Sequence, residues 1–228
     1  MILKAFEDLP QEFRNDAVKP YYDILKKKQG SLILKRILDV VLSFVFLLIL
    51  FLPMVIIAII IKCTSKGPVI YKQIRVTTYG KQFKIWKFRT MYVGADAQGM
   101  LTYFGDDRVT KIGKVLRKYR LDELPQIFHV LSGKMSIVGT RPEVRKYVEA
   151  YTPEMMATLL MPAGITSLAS IMFKDEAEML NKSDDIDKLY IEKVLPEKMK
   201  YNLKYIERFG FRRDIYLIFK TALEVFSG

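Results

Sequence analysis

The chain has 228 residues, half of them hydrophobic, and a net charge of +12, two properties that normally trade against each other in a water-soluble globule. Cys63 is its one cysteine and His129 its one histidine, which excludes an intrachain disulfide framework, a Cys/His zinc cluster and most Ser-His-Asp chemistry. Any enzyme built from this sequence works with carboxylates, Lys, Arg or a hard metal ion; the basic excess alone suits an anionic leaflet, a phosphorylated substrate or nucleic acid.

Residues 1–30 mix both charges and lack an apolar core, so they read as a cytosolic extension and not as a targeting segment. Residues 31–62 read as a membrane segment. From Val40 to Ile61 the run carries no charge, and it reaches the ~20 residues needed to cross a hydrocarbon core. Three features favour a re-entrant helix-break-helix. Pro53 interrupts the run and removes a backbone donor. Cations flank both ends, Lys35 and Arg36 before it and Lys62 and Lys66 after it, so the positive-inside rule gives no orientation. Asp39 sits just inside the apolar stretch, where a shallow helix would keep it near head groups. A spanning helix with a tolerated proline stays open on these residues.

Residues 63–95 hold seven cations and no acid. Their β-branched and aromatic content around Tyr79-Gly80 predicts a β-hairpin, Val69 to Thr77 against Gln82 to Phe88. Gly94 to Asp107 reads as a link. Helices are predicted at Lys111–Tyr119, Asp122–Leu131, Pro142–Met161, Lys188–Lys193, Glu197–Phe209 and Asp214–Phe226. In the last, Ile215, Ile218, Phe219, Ala222, Leu223 and Phe226 share one apolar face, suited to a core or to an interfacial helix behind Arg212 and Arg213. The fold class is therefore α+β, mostly helical, with a β-hairpin and amphipathic interfacial helices.

The block DELPQ, residues 122–126, places Asp122 and Glu123 at the start of a helix, because Pro125 is comfortable in a first turn. Acidic residues there are routine caps that favour the macrodipole. Adjacent helical residues, however, point about 100 degrees apart, so one carboxylate is free to attack while the other holds a cation. Downstream, SIVGTRPEV offers Gly139 for a bend and Arg141, restrained by Pro142, as a phosphate clamp. Basic groups, paired carboxylates and an anchor together suit phosphoryl transfer at a lipid surface.

On these motifs, with SKGPVIYKQIRVTTYGKQFKIWKFRTM, LRKYRLDELPQIFHVLSGKMSIVGTRP and LPEKMKYNLKYIERFGFRRDIYLIFKT, the chain resembles the bacterial sugar transferases, or small monotopic phosphoglycosyl transferases, from about Lys35 to Leu223. The resemblance implies that Asp122 attacks the sugar-linked phosphate of a UDP-sugar, releases UMP and hands the phosphosugar to undecaprenyl phosphate. It places Mg²⁺ on Glu123 and substrate phosphate on Arg117 and Arg141, joined by Lys87 and Arg89 of the KFRTM block. It matches the break of the re-entrant helix to Pro53, and its approach to the membrane to Lys35, Arg36 and Asp39. It makes residues 63–228 a cytosolic catalytic domain at the cytoplasmic face of a bacterial inner membrane, in the core-only form of the family, starting a glycoconjugate such as an exopolysaccharide, O-antigen or glycoprotein glycan. Its partners are a UDP-sugar, undecaprenyl phosphate and membrane lipid, with no nucleic acid expected and self-association left open. Thr140, Arg120 and PAGITSLAS (162–170) depart from the family pattern, and the sugar is not inferred from them. The competing reading is a non-catalytic, membrane-anchored basic adaptor for anionic lipid or nucleic acid.

Overall fold

The computed structural model describes residues 2–99, 101, 105–173, 179 and 185–227. Parts of the predicted Gly94–Asp107 link and the side chain of Phe226 lie outside the described residues. Most elements are helical, and the strands form two small sheets.

Helix α1 (Lys19–Lys27) leads into α2 (Gln29–Thr64), one helix long and apolar enough for a membrane. The expected break at Pro53 is not an interruption: α2 is helical through it. A proline deletes one backbone donor, and the helical bonds on either side carry the run across. The buried positions Leu32, Lys35, Asp39, Ser43, Met54 and Ile61 fall on one stripe, while Phe44, Leu48, Ile49, Phe51 and Leu52 point outward.

That stripe is docked at both ends. Near the N-terminal end, Lys35 Nζ donates to the Val138 carbonyl (2.6 Å) and to Asp214 (2.7 Å). Arg36 donates to the carbonyls of Val130 and Leu131 at 2.6 and 2.8 Å. Asp39 accepts from Ser136 Oγ (2.8 Å) and the Ile137 amide (3.0 Å). Protein donors thus satisfy Asp39, where the sequence suggested head groups. Near the other end, Met54 and Ile61 pack with Phe88 and Leu116.

The hairpin forms as predicted, β1 (Ile70–Val76) antiparallel to β2 (Gln82–Phe88), with Val76 opposite Gln82. Tyr79 takes a left-handed conformation, φ 56°, inside its turn. Helix α3 (Lys111–Lys118) follows, then a 3₁₀ segment Leu121–Gln126 and α4 (Ile127–Leu131). A short parallel pair, β3 (Met135–Val138) and β4 (Ala163–Thr166), was not foreseen. Gly139 is needed here for close approach, not for a bend: a Cβ would stand 2.5 Å from the Pro162 carbonyl oxygen.

The single helix expected over Pro142–Met161 is instead α5 (Arg145–Val148) and a 3₁₀ segment Met155–Leu160. Pro153 explains the split, since the residue before a proline avoids helical backbone. Helix α6 (Leu168–Met172) precedes α7 (Ile186–Leu189), a π turn (Tyr190–Val194), α8 (Leu195–Glu207) and α9 (Phe211–Ser227). Helix α9 buries Asp214 and Leu217 and leaves Tyr216, Phe219 and Leu223 exposed, so much of its apolar surface faces out.

Leu9, Phe13, Val18, Tyr22 and Leu25 from the first thirty residues join Val130, Met135, Leu160, Ile206 and Phe209 in the main core. Alternation in that segment is weak, which hid its packing role from a reading of charge alone.

Candidate active site

A cavity of about 540 Å³ opens between β2, the loop after it, α3 and the 3₁₀ turn of the DELPQ block. That volume suits a ligand of nucleotide-sugar size. Local packing sets its walls. Gly113 lets α3 lie against the strand exit, since a Cβ there would stand 2.0 Å from the Thr90 carbonyl oxygen. Thr110 caps α3 by accepting from the Gly113 amide at 3.0 Å, and its own amide donates to the Thr90 carbonyl at 2.9 Å. Arg120, in the left-handed region at φ 52°, turns the chain from α3 into Leu121–Gln126.

The two carboxylates then part company: the block expected to open an α-helix is a 3₁₀ segment, on which neighbours point about 120 degrees apart. Both are buried and both line the cavity. Glu123 is enclosed by cations: Lys87 Nζ donates to its Oε1 at 3.1 Å, and Arg141 donates to both of its oxygens. Burial alone would raise its carboxyl, but Arg141 and Lys87 outweigh that and hold it far below the usual range. Asp122 has no hydrogen bond or ion pair among the described residues. Burial pushes it above the ordinary carboxylate value against the pull of Lys87, and the charge on Glu123 adds to the rise. One carboxylate is locked as an anion. The other is open and more basic than usual.

Arg117 faces the same space. Its one hydrogen bond among the described residues runs from Nε to Thr90 Oγ1, 2.9 Å, which leaves its terminal nitrogens toward the cavity. Burial lowers its basicity, and the neighbouring Asp122 charge partly restores it. Lys87, Arg117 and Arg141 therefore converge on the dyad as the sequence suggested. Arg89 behaves differently: its NH2 donates to the carbonyl and the hydroxyl of Ser65, both at 2.7 Å.

Tyr71, Gln73, Arg75, Ser170, Phe173 and Lys198 also line the cavity, and none of them was among the site residues expected from sequence. Arg75 and Lys198 are fixed through buried Glu143, which lies 3.6 and 3.4 Å from them and accepts from Tyr190 Oη at 2.6 Å. Lys198 comes from α8, remote in sequence, within the LPEKMKYNLKY block that carried the resemblance but gave this lysine no role. His129 stands outside this chemistry. Its Nε2 accepts from the Trp86 amide at 3.1 Å, and burial, with Lys134 adding, lowers it to about 4.

Among the described residues no group of three or more His, Cys, Asp or Glu side chains could cage a metal ion. The donor set fits a hard divalent cation that keeps most of its ligands from water and substrate phosphate, since such ions need only one or two protein carboxylates.

The model of the family described as bacterial sugar transferase matches residues 30–228. The chain is 36% identical over 201 residues, 86% of its length, to a UDP-glucose:undecaprenyl-phosphate glucose-1-phosphate transferase of Klebsiella pneumoniae, covering 41% of that protein. It is also 36% identical over 200 residues to a UDP-N-acetylgalactosamine-undecaprenyl-phosphate N-acetylgalactosaminephosphotransferase of Aeromonas hydrophila, covering 86% of this chain and 44% of the relative. A putative undecaprenyl-phosphate N-acetylgalactosaminyl 1-phosphate transferase of Bacillus subtilis is 39% identical over 136 residues, 59% of this chain and 75% of the relative. The chain thus spans less than half the length of the first two relatives. The matched region takes in α2, the hairpin and every wall of the cavity, and the chain belongs to the bacterial sugar transferase family.

Proposed function

We propose that the protein transfers a sugar 1-phosphate from a UDP-sugar to undecaprenyl phosphate through a covalent phosphosugar on Asp122. The observation that carries this reading is the division of labour in the dyad: a buried, unpaired and basic Asp122 beside a Glu123 locked by Lys87 and Arg141. In the first half-reaction an Asp122 oxygen attacks the phosphorus that bears the sugar, and the bond from that phosphorus to the bridging oxygen breaks. UMP leaves with the bond pair. In the second, an oxygen of the lipid phosphate attacks the same phosphorus, the Asp122 carboxylate departs, and polyprenyl-diphospho-sugar forms.

Carboxylate attack on an anionic phosphoryl group requires its charge to be neutralised. Arg117, Lys87 and Arg141 supply fixed positive charge at the dyad, and Glu123 keeps the last two from closing onto Asp122. Mg²⁺, held by Glu123, would add charge neutralisation at the donor phosphates when bound. Arg141, which shares Glu123 with Lys87, is the guanidinium that would turn to phosphate if that carboxylate were otherwise engaged.

The anchor suits the same chemistry. Both ends of α2 dock on one body, through Lys35 and Asp39 at one end and Met54 and Ile61 at the other. A catalytic domain cannot lie on two sides of a bilayer, so this arrangement supports an α2 that enters one leaflet without crossing to the other side. The outward residues of α2 and the exposed Tyr216, Phe219 and Leu223 of α9 give apolar surface for that leaflet. The cytoplasmic face of the bacterial inner membrane, where a soluble nucleotide-sugar meets a prenyl phosphate, is the fitting location, and the product begins a membrane-assembled glycan. Relatives of equal identity are named for glucose and for N-acetylgalactosamine, so the donor is an experimental question. Purified protein, undecaprenyl phosphate, Mg²⁺ and a panel of UDP-sugars should release UMP with at least one donor. Failure with every donor would overturn the reading.

A further inference from the structure

Resting on the two-step reading, we infer that Arg89 is the seat of the acceptor lipid's phosphate, separate from the donor-phosphate cations around the dyad. Arg89 is 5% exposed, and it lines the cavity. Only its NH2 is used, on Ser65; Nε and NH1 are buried with no partner. A buried guanidinium left half-satisfied is costly, and a phosphate oxygen that accepts from one of the idle nitrogens repays part of that cost.

Its position separates it from the donor set. Arg89 follows Phe88, the last residue of β2, two places after Lys87, and its amide still donates to the Val69 carbonyl at 2.9 Å. Lys87 reaches Glu123, whereas Arg89 lies one step farther along and reaches Ser65, the residue that ends α2. A line of cations therefore runs from the dyad to the point where the apolar helix ends, between Lys62 and Lys66.

Gly67 completes the notch. Its φ is +120°, and a Cβ there would stand 2.3 Å from Arg89 NH1 and 2.7 Å from Val93 Cγ2. Glycine thus makes the room the guanidinium occupies. Val93, 69% exposed, borders the notch beside Gly67.

The test separates the half-reactions in the full-length protein. Without lipid, UDP-sugar gives a UMP burst; undecaprenyl phosphate added afterwards discharges the adduct. Arg89→Met should leave the burst within about 3-fold and raise the acceptor KM on the order of 100-fold, as expected for lost hydrogen bonds to a charged group. Binding is read independently by thermal shift. Farnesyl phosphate should raise Tm of the parent protein, farnesol should not, and Arg89→Met should lose the shift while keeping that of the UDP-sugar. Gly67→Ala crowds the guanidinium without removing its charge and should reproduce the same split if Arg89→Met does not fold. Equal loss of both half-reactions, loss of the UDP-sugar shift, or an unchanged acceptor KM would overturn the assignment. A parent protein with no burst would sink the two-step reading instead, and the farnesyl phosphate arm would still judge Arg89.

Discussion

Two clusters of buried charge, one holding α2 and one lining the cavity, are built on opposite rules. In the clasp that holds α2, Lys35, Asp39 and Asp214 are buried and every one is answered: Lys35 by Asp214 and the Val138 carbonyl, Asp39 by Ser136 and Ile137, Asp214 also by Tyr205 at 2.7 Å. In the cavity, Asp122 has no partner among the described residues and Arg89 has two idle nitrogens. Satisfied buried charge fixes a structure. Unsatisfied buried charge waits for a ligand, and the cost of leaving it so is stored where the chemistry occurs.

The largest effect should come from the unsatisfied side. Asp122→Asn should lower turnover by at least ~10³-fold, as loss of a nucleophile does, with Tm unchanged or raised, because a buried charge that burial disfavours has gone. Activity assay and calorimetry on one sample check both halves. Glu123→Gln should cost ~10²-fold in rate and also lower Tm, since it leaves Lys87 and Arg141 without their anion.

The clasp should answer in the other currency. Lys35→Met strands Asp214 in the core and should destabilise by ~3–5 kcal/mol, which is roughly a 6–20 °C fall in Tm for a chain of this size. Turnover per folded molecule at low temperature should stay close to that of the parent. A loss of activity without a loss of stability would erase the distinction between the two clusters.

Smaller effects concern pH. Asp122 attacks only when ionised, and its carboxyl is held above the ordinary range, so the donor half-reaction should decline on acidification while other carboxylates are still charged. Protonation there also removes a destabilising charge, so acidification through this group costs rate while adding stability. His129 should contribute nothing to the pH dependence of the rate between pH 6 and 8. Its protonation in the unfolded chain still withdraws stability as pH falls through the ordinary histidine range. Its folded value is lowered to about 4, and as the only histidine it gives one imidazole resonance, which should stay in its neutral position through that window.

Much of this was legible before any coordinates. The hairpin announced itself through alternation around Tyr79-Gly80, and the dyad through the DELPQ block. Lys87, Arg117 and Arg141 were placed by motif and do meet at the dyad. What the sequence could not convey depends on long-range contact. Lys198 reaches the cavity from α8 through Glu143. Strands β3 and β4 pair across an intervening stretch, and Gly139 matters because Pro162 arrives beside it. Pro153 was a visible signal that Pro142–Met161 is not one helix, and it was outweighed by the run of apolar residues around it. Pro53, conversely, looked like a break and is carried within α2, because a single missing donor does not stop a helix this long and apolar.

The reading stands or falls on a bond between Asp122 and phosphorus. Protein incubated with its UDP-sugar and no lipid, quenched and digested, should give a peptide spanning Asp122 that is heavier by one sugar phosphate and returns to its parent mass after a chase with undecaprenyl phosphate. Continued turnover with that peptide unmodified at every time point would contradict it.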